Sequence, residues 1–191
     1  MIIGITGGTG SGKTTLLEII AEHGGTVLDC DAIYHELLES DSSLLAAIET
    51  RFPGTVDEGK LQRKKLGAIV FSDEGALADL NRITHSAITA EVLRRLEEKP
   101  ELAAIDAIAL VESGLSRLCD VTVAVTAPED IRVQRLMLRD GITEEYAKNR
   151  IAAQHNVQWF REHCDYVLEN SGTKMQFAKK CIAFLSKQGI I

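Results

Sequence analysis

No apolar run in this chain approaches the ~20 residues that a membrane span requires. The amino terminus carries no basic stretch followed by a long apolar segment of the secretory kind. Both absences make a cytoplasmic location and no membrane partner the expectation. Cys30, Cys119, Cys164 and Cys181 are scattered and form no CxxC pair, which argues against a disulfide framework or a zinc site and for reduced thiols. An excess of positive charge is missing too. With 28 acidic against 21 basic residues and a net charge of −7, the chain is a poor candidate for a nucleic-acid partner. Any phosphate ligand must be met by cations that converge in a few places. There is no internal repeat and no low-complexity linker. What remains is a chain of 191 residues, 45% of them apolar, enough for one globular domain with a core and room for an inserted subdomain.

Short apolar segments alternate with helical patterns. MIIGIT (1–6), TVLDCD (26–31), LAAIDA (102–107) and VTVAV (121–125) read as buried strands, and DYVLENSG (165–172) as a last strand with a turn. Helical spacing marks 13–23, most of 42–98 with a break at RFPGTVDEGK (51–60), then 128–139, 143–154 and 174–186. The alternation predicts an α/β fold, a parallel sheet covered by helices. The helical stretch between the second and third strands is too long for a simple crossover and reads as an inserted subdomain.

GITGGTGSGKTT (4–15) holds five glycines in twelve positions. Glycine inside regular structure costs roughly 0.5–1 kcal/mol relative to alanine, so something must approach this backbone closely. Gly7, four residues, then Gly12-Lys13-Thr14 is the phosphate-loop pattern GxxxxGK[ST], set between a predicted strand and a predicted helix. In that geometry backbone N–H groups surround a phosphate at the positive end of the helix. Lys13 reaches the β and γ phosphates and the Thr14 hydroxyl serves Mg²⁺. A merely tight turn leaves the Lys-Thr pair unexplained. The rival dinucleotide pattern GxGxxG fails, because counting from Gly8 and Gly10 its last position is Lys13. A guanine-type NKxD motif is also missing. A small-molecule kinase then needs a group for the acceptor hydroxyl and cations around the transferred phosphoryl.

Asp29 and Asp31 close the second predicted strand, where a spacing of two puts both on one side. Either they cap the following helix or they serve the acceptor hydroxyl and metal-bound water. Arg132, Arg135 and Arg139 share one helical face, either solvated or acting as phosphate clamps at the entrance to a mobile lid, with Arg150 a further candidate. KLQRKK (60–65) is either solvated surface or a seat for an anionic acceptor.

In order along nearly the whole chain, TGGTGSGKTT, VLDCDAI, GKLQRKKLGAIVFSD, LNRITHSAI, IDAIALVESGL, RLMLRDGITEEYAKNRIAAQ and DYVLENSG resemble the dephospho-coenzyme A kinase family. The resemblance implies a three-layer αβα kinase fold in a single domain. Its nucleotide-binding core would cover 1–39, 100–138 and 159–191, its helical acceptor subdomain 40–99 and its lid 139–158. It also implies transfer of the γ-phosphoryl of ATP to the ribose 3′-hydroxyl of dephospho-CoA, with Mg²⁺, by a monomer or weak oligomer. Gly8, Gly10, Ser11, Gly12, Lys13, Thr14 and Thr15 would hold ATP, with Asn170 near its adenine. Asp31 would be the base, with Lys13, Arg135 and Arg139 catalytic beside it. His35, Arg63, His85 and Glu112 would meet the acceptor.

The chain also departs from the family. His35 stands where the family often has Arg, Ile108 and Ser86 replace prolines, and a lysine of the lid's distal arm is replaced near Phe160, with Arg161 the nearest cation. The loop and Asp31 are intact, so the expectation is an active enzyme with an altered acceptor grip. A kinase of another nucleotide or small alcohol and a non-catalytic nucleotide-binding regulator are the alternatives.

Overall fold

The computed structural model describes the whole chain, Met1–Ile191. The apolar segments become the strands β1 (Ile2–Thr6), β2 (Thr26–Asp29), β5 (Ala103–Asp106), β6 (Val121–Thr126) and β7 (Tyr166–Glu169), which form one sheet in the order β2-β5-β1-β6-β7. β1 lies in the middle and pairs in parallel with both neighbours, Ile3 opposite Ala104 on one side and Val121 on the other. β6 and β7 pair in parallel as well. From β1 the chain moves out to β2, and from β5 it crosses back to β6. The carboxyl end of β1 is thus a switch point, the place where open parallel sheets bind ligands.

Two amphipathic helices bury their apolar sides on this sheet. α1 (Lys13–Glu22) contributes Leu16, Ile19 and Ile20, and α9 (Lys174–Lys187) contributes Phe177, Cys181 and Leu185, packed with Ile3, Ile5, Val123 and Val125. A capping box between Thr173 and Gln176 starts α9. α6 (Glu129–Asp140) and α7 (Glu144–Ala152) pack against each other through Val133, Leu136, Ala147 and Ile151. Thr143 caps α7 by accepting from the Tyr146 amide. α8 (Val157–His163) forms where the sequence pattern shows no helix; seven residues are too few for a visible period, and its start is set by Asn156 accepting from the Trp159 amide at 2.9 Å.

The inserted segment holds α2 (Cys30–Ser40), α3 (Ser42–Arg51), the short hairpin β3 (Val56–Asp57) and β4 (Lys60–Leu61), α4 (Arg63–Val70) and α5 (Glu74–Leu96). The chain packs as two compact units, Met1–Leu28 with Pro100–Ile191, and Asp29–Lys99. The second unit thus begins at Asp29 and not at residue 40. The reason is that α2 commits Tyr34, Leu37 and Leu38 to a core shared with Leu44, Ile48, Phe52, Leu66 and Val70.

Cys119, Cys164 and Cys181 are free thiols. Burial pushes Cys119 up to about 12 and Cys164 and Cys181 up to about 11, which leaves them protonated and inert. No helix is long and apolar enough to cross a membrane.

Candidate active site

Between β1 and α1 the loop turns through left-handed backbone at Gly10 (φ 75°) and Gly12 (φ 93°), conformations that side-chain-bearing residues rarely adopt. A Cβ on Gly12 would also overlap the Asn170 side-chain amide. The loop's carbonyls are accounted for one by one. Gly7 accepts from Lys13 Nζ at 3.2 Å, Thr9 from Arg132 Nε at 2.8 Å, and Gly10 and Ser11 from Arg135 Nη1 at 3.1 and 3.2 Å. Ser11 accepts a second bond from Asn170 Nδ2 at 2.8 Å. Gly8 and Gly12 accept from the Ser11 and Thr15 amides.

With its carbonyls bound in this way, the loop keeps the amides of Gly10, Gly12, Lys13 and Thr14 without a protein acceptor. The Ser11 hydroxyl is also buried and unpartnered. A buried donor without a partner costs about 1–3 kcal/mol, which applies to the Ser11 hydroxyl, and the unclaimed amides gather beside it at the positive end of α1. An anion with several acceptor oxygens relieves them together.

Lys13 Nζ also lies 3.9 Å from Asp106 Oδ1, at the end of β5. Asp106 was missed as a site residue. Its signal was present in the sequence, an acid closing the apolar run AAI, which is how an acidic residue of the Walker-B type is placed beside a phosphate loop. The Thr14 hydroxyl is exposed and takes part in no hydrogen bond, while Thr15 is buried beneath it.

The arginines divide. Arg135, half-buried, holds the loop through Gly10 and Ser11 and also donates to Asn170 Oδ1 at 3.2 Å. Burial lowers the pKa of both Arg132 and Arg135 from its ordinary value, a cost that the loop carbonyls offset. Arg139 sits apart from the loop and meets Asp140 at 2.7 Å, as does Arg150, also at 2.7 Å. The Arg139 and Arg150 guanidiniums hold the Asp140 carboxyl down to about 2. Asn170 is 4% exposed, its side chain bound to Ser11 and Arg135 and its amide to the Thr126 carbonyl at 2.7 Å.

Glu112, on the loop after β5, binds His155 Nε2 at 2.8 Å. His155 stacks on Trp159 with ring centroids 3.7 Å apart, and Trp159 stacks on His163 at 4.2 Å. This ring column had no counterpart in the sequence reading, because α8 itself was not visible there.

In the second unit, β2 stops at Asp29, which corrects the placing of both carboxylates on one strand. Asp29 is the cap of α2 and accepts from the Asp31 and Ala32 amides at 2.9 and 3.1 Å. Asp31 lies in the first helical turn, exposed, its carboxylate bound to no protein group. The two readings of this pair, cap and free carboxylate, therefore fall on different residues. His35 is one turn on from Asp31 and shares its face. Its Nδ1 is 3.1 Å from Arg63 Nη2. A guanidinium only donates, so Nδ1 is the acceptor and the ring proton is on Nε2. His85 is half-buried on α5, and Lys60, Lys64 and Lys65 are exposed.

A family model described as dephospho-CoA kinase matches residues 1–176. A dephospho-CoA kinase of Corynebacterium diphtheriae is 40% identical over 179 residues, which span 91% of this chain and 90% of that one. The solved structure of a Thermus thermophilus protein superposes with a TM-score of 0.81 at 32% identity, covering 98% of this chain and 97% of the other. The dephospho-CoA kinase from Campylobacter jejuni superposes with a TM-score of 0.70 at 25% identity, covering 100% of this chain and 98% of that one.

Proposed function

The chain belongs to the dephospho-CoA kinase family, and from that premise we propose how its residues share the reaction. The enzyme is an ATP-dependent phosphotransferase that moves the γ-phosphoryl of ATP to the ribose 3′-hydroxyl of dephospho-CoA. The observation that supports the assignment of roles is the set of unclaimed amides at Gly10, Gly12, Lys13 and Thr14. These amides and the Ser11 hydroxyl bind the phosphate chain of ATP, and Lys13 places its charge on the oxygens that become more negative as the phosphoryl leaves.

Arg135 and Asn170 serve from behind the loop by fixing its carbonyls, so the amides face the ligand without reorganisation. Asp31 accepts the proton of the acceptor hydroxyl and orients it. Its carboxylate suits this work because Asp29 takes the capping bonds. His35, through Nε2–H, and Arg63 bind the anionic part of the acceptor, with His85 in the same unit. Arg139 and Arg150 are held in reserve on Asp140, and Glu112 orients His155.

The free Thr14 hydroxyl and the Asp106 carboxylate near Lys13 fit Mg²⁺, which would arrive with the nucleotide. No group of three or more His, Cys, Asp or Glu side chains stands ready to hold a metal alone, so the protein's share is small and the phosphates supply most ligands. Bound there, the ion would neutralise charge on the β and γ oxygens. Soluble substrates and protonated thiols support a cytoplasmic place of work.

One assay tests this reading: protein, ATP, Mg²⁺ and dephospho-CoA, with CoA and ADP followed together. Equal amounts of both products are expected. ADP without CoA, or neither product, rejects the acceptor assignment.

A further inference from the structure

Thr9 stands midway along the phosphate loop, and its N–H and C=O are both bound by side chains from the α6–α7 pair. Its N–H donates to Gln154 Oε1 at 2.9 Å, and its carbonyl accepts from Arg132 Nε at 2.8 Å. Arg132 Nη2 donates to the same Gln154 oxygen at 2.7 Å. The three bonds close a ring. An amide oxygen has two lone pairs, and both are used here. Gly8 is shaped to this arrangement, because a Cβ there would overlap the Arg132 guanidinium and crowd Gln154 Oε1.

Gln154 follows α7 by two residues, its amide bound to the Ile151 carbonyl at 3.1 Å. Ile151 in turn is buried in the contact with α6. A cleft of about 640 Å³ borders Arg132 and Gln154 on the side lined by Pro128, His155 and Trp159, so the end of α7 has room to withdraw. If it withdraws, Thr9 N–H loses its acceptor and Arg132 loses the bond that steadies its guanidinium, and a segment with glycine at positions 7, 8, 10 and 12 regains freedom.

We propose that Arg132 and Gln154 are a positioning pair that makes the loop's grip on nucleotide conditional on the packing of α7 against α6. Both act through Thr9. The pair holds the loop in its binding shape before ATP arrives, and the ordering cost is met by the fold and not by the ligand. Movement of α7 therefore tightens or loosens the nucleotide seat directly. This inference rests on the loop being the seat of ATP and is independent of which acceptor is phosphorylated.

The test is calorimetric titration of the full chain with ATP and Mg²⁺, no acceptor present. Gln154→Leu removes two bonds and is expected to weaken ATP binding by about tenfold. Gln154→Glu keeps an oxygen for both donors and is expected to stay within about threefold of wild type. Arg132→Met combined with Gln154→Leu should be no worse than the weaker single variant, because each breaks the same ring. Ile151→Ala should weaken binding in the wild-type background and add nothing to Gln154→Leu. Gln154→Leu binding within about threefold of wild type, Gln154→Glu as weak as the leucine variant, or effects that multiply would each overturn the pair. A wild-type protein that binds no ATP would instead reject the loop assignment itself.

Discussion

Arg135 and Asn170 donate to each other's target: both reach the Ser11 carbonyl, at 3.2 and 2.8 Å, and Arg135 Nη2 donates to Asn170 Oδ1 at 3.2 Å. One side chain comes from α6 and the other from the turn after β7, so two distant segments meet behind the loop. Their first effect is on the loop's shape, which gives them a consequence that needs no ligand.

Asn170→Ala should destabilise the nucleotide-free protein. The Nδ2 donor and the Oδ1 acceptor go together, leaving Ser11 and Arg135 each one bond short, at a cost of about 1–3 kcal/mol. Thermal unfolding without ATP measures it. An unchanged midpoint would assign Asn170 to ligand contact alone.

Asp29 and Asp31 should separate cleanly. Asp29→Ala removes two capping bonds and costs about 1 kcal/mol of stability. Asp31→Asn should leave stability and ATP binding near wild type while slowing turnover by about 10²–10⁴. A kcat near wild type for Asp31→Asn would remove it from the chemistry.

Lys13→Ala should lower ATP affinity and kcat together, since the ammonium meets the phosphates in the ground state and more strongly in the transition state, where their oxygens gain charge. Titration with ATP and steady-state rates decide the matter. A loss confined to the acceptor KM would contradict its place in the loop.

Arg63→Met should raise the KM for dephospho-CoA by about tenfold, the usual scale for a lost charge-assisted bond, with ATP affinity unchanged. It also releases His35 Nδ1 from its donor. An equal loss of ATP affinity would show that Arg63 serves the fold or the nucleotide instead.

Glu91 sets a pH window for stability. Hydrogen bonds from Arg94 and then Arg95 lower its carboxyl from 4.5 to about 2 in the folded protein. A lowered folded-state pKa means that the stabilisation is complete above the unfolded value and fades as pH falls through the folded one. Urea unfolding of wild type and Glu91→Gln should therefore differ above pH 4.5 and converge toward pH 2. A constant gap across that window would show that the pair carries no linkage.

Much of the site was legible because its signals are local. Gly7 to Thr14 is a contiguous pattern whose spacing alone implies unobstructed amides. The periodicities of α1, α9 and the buried strands follow from the core they share. Asp31 was readable as a candidate but not as distinct from Asp29, because which carboxylate caps α2 depends on where β2 stops, a matter of one peptide's geometry. α8 and its His155–Trp159–His163 column were hidden, since a seven-residue helix leaves no period to detect.

The sequence by itself determined that a glycine-lined loop ends in Lys13 and Thr14, and that strands and helices alternate around it, because these depend on neighbours along the chain. Only the tertiary structure decided which cations hold that loop. Arg132, Arg135 and Arg139 share one helical face and look alike in sequence. Yet the first two turn to loop carbonyls and the third to Asp140. Their partners lie more than a hundred residues away for the loop and one residue away for Arg139, and only folding brings the distant ones within hydrogen-bonding reach.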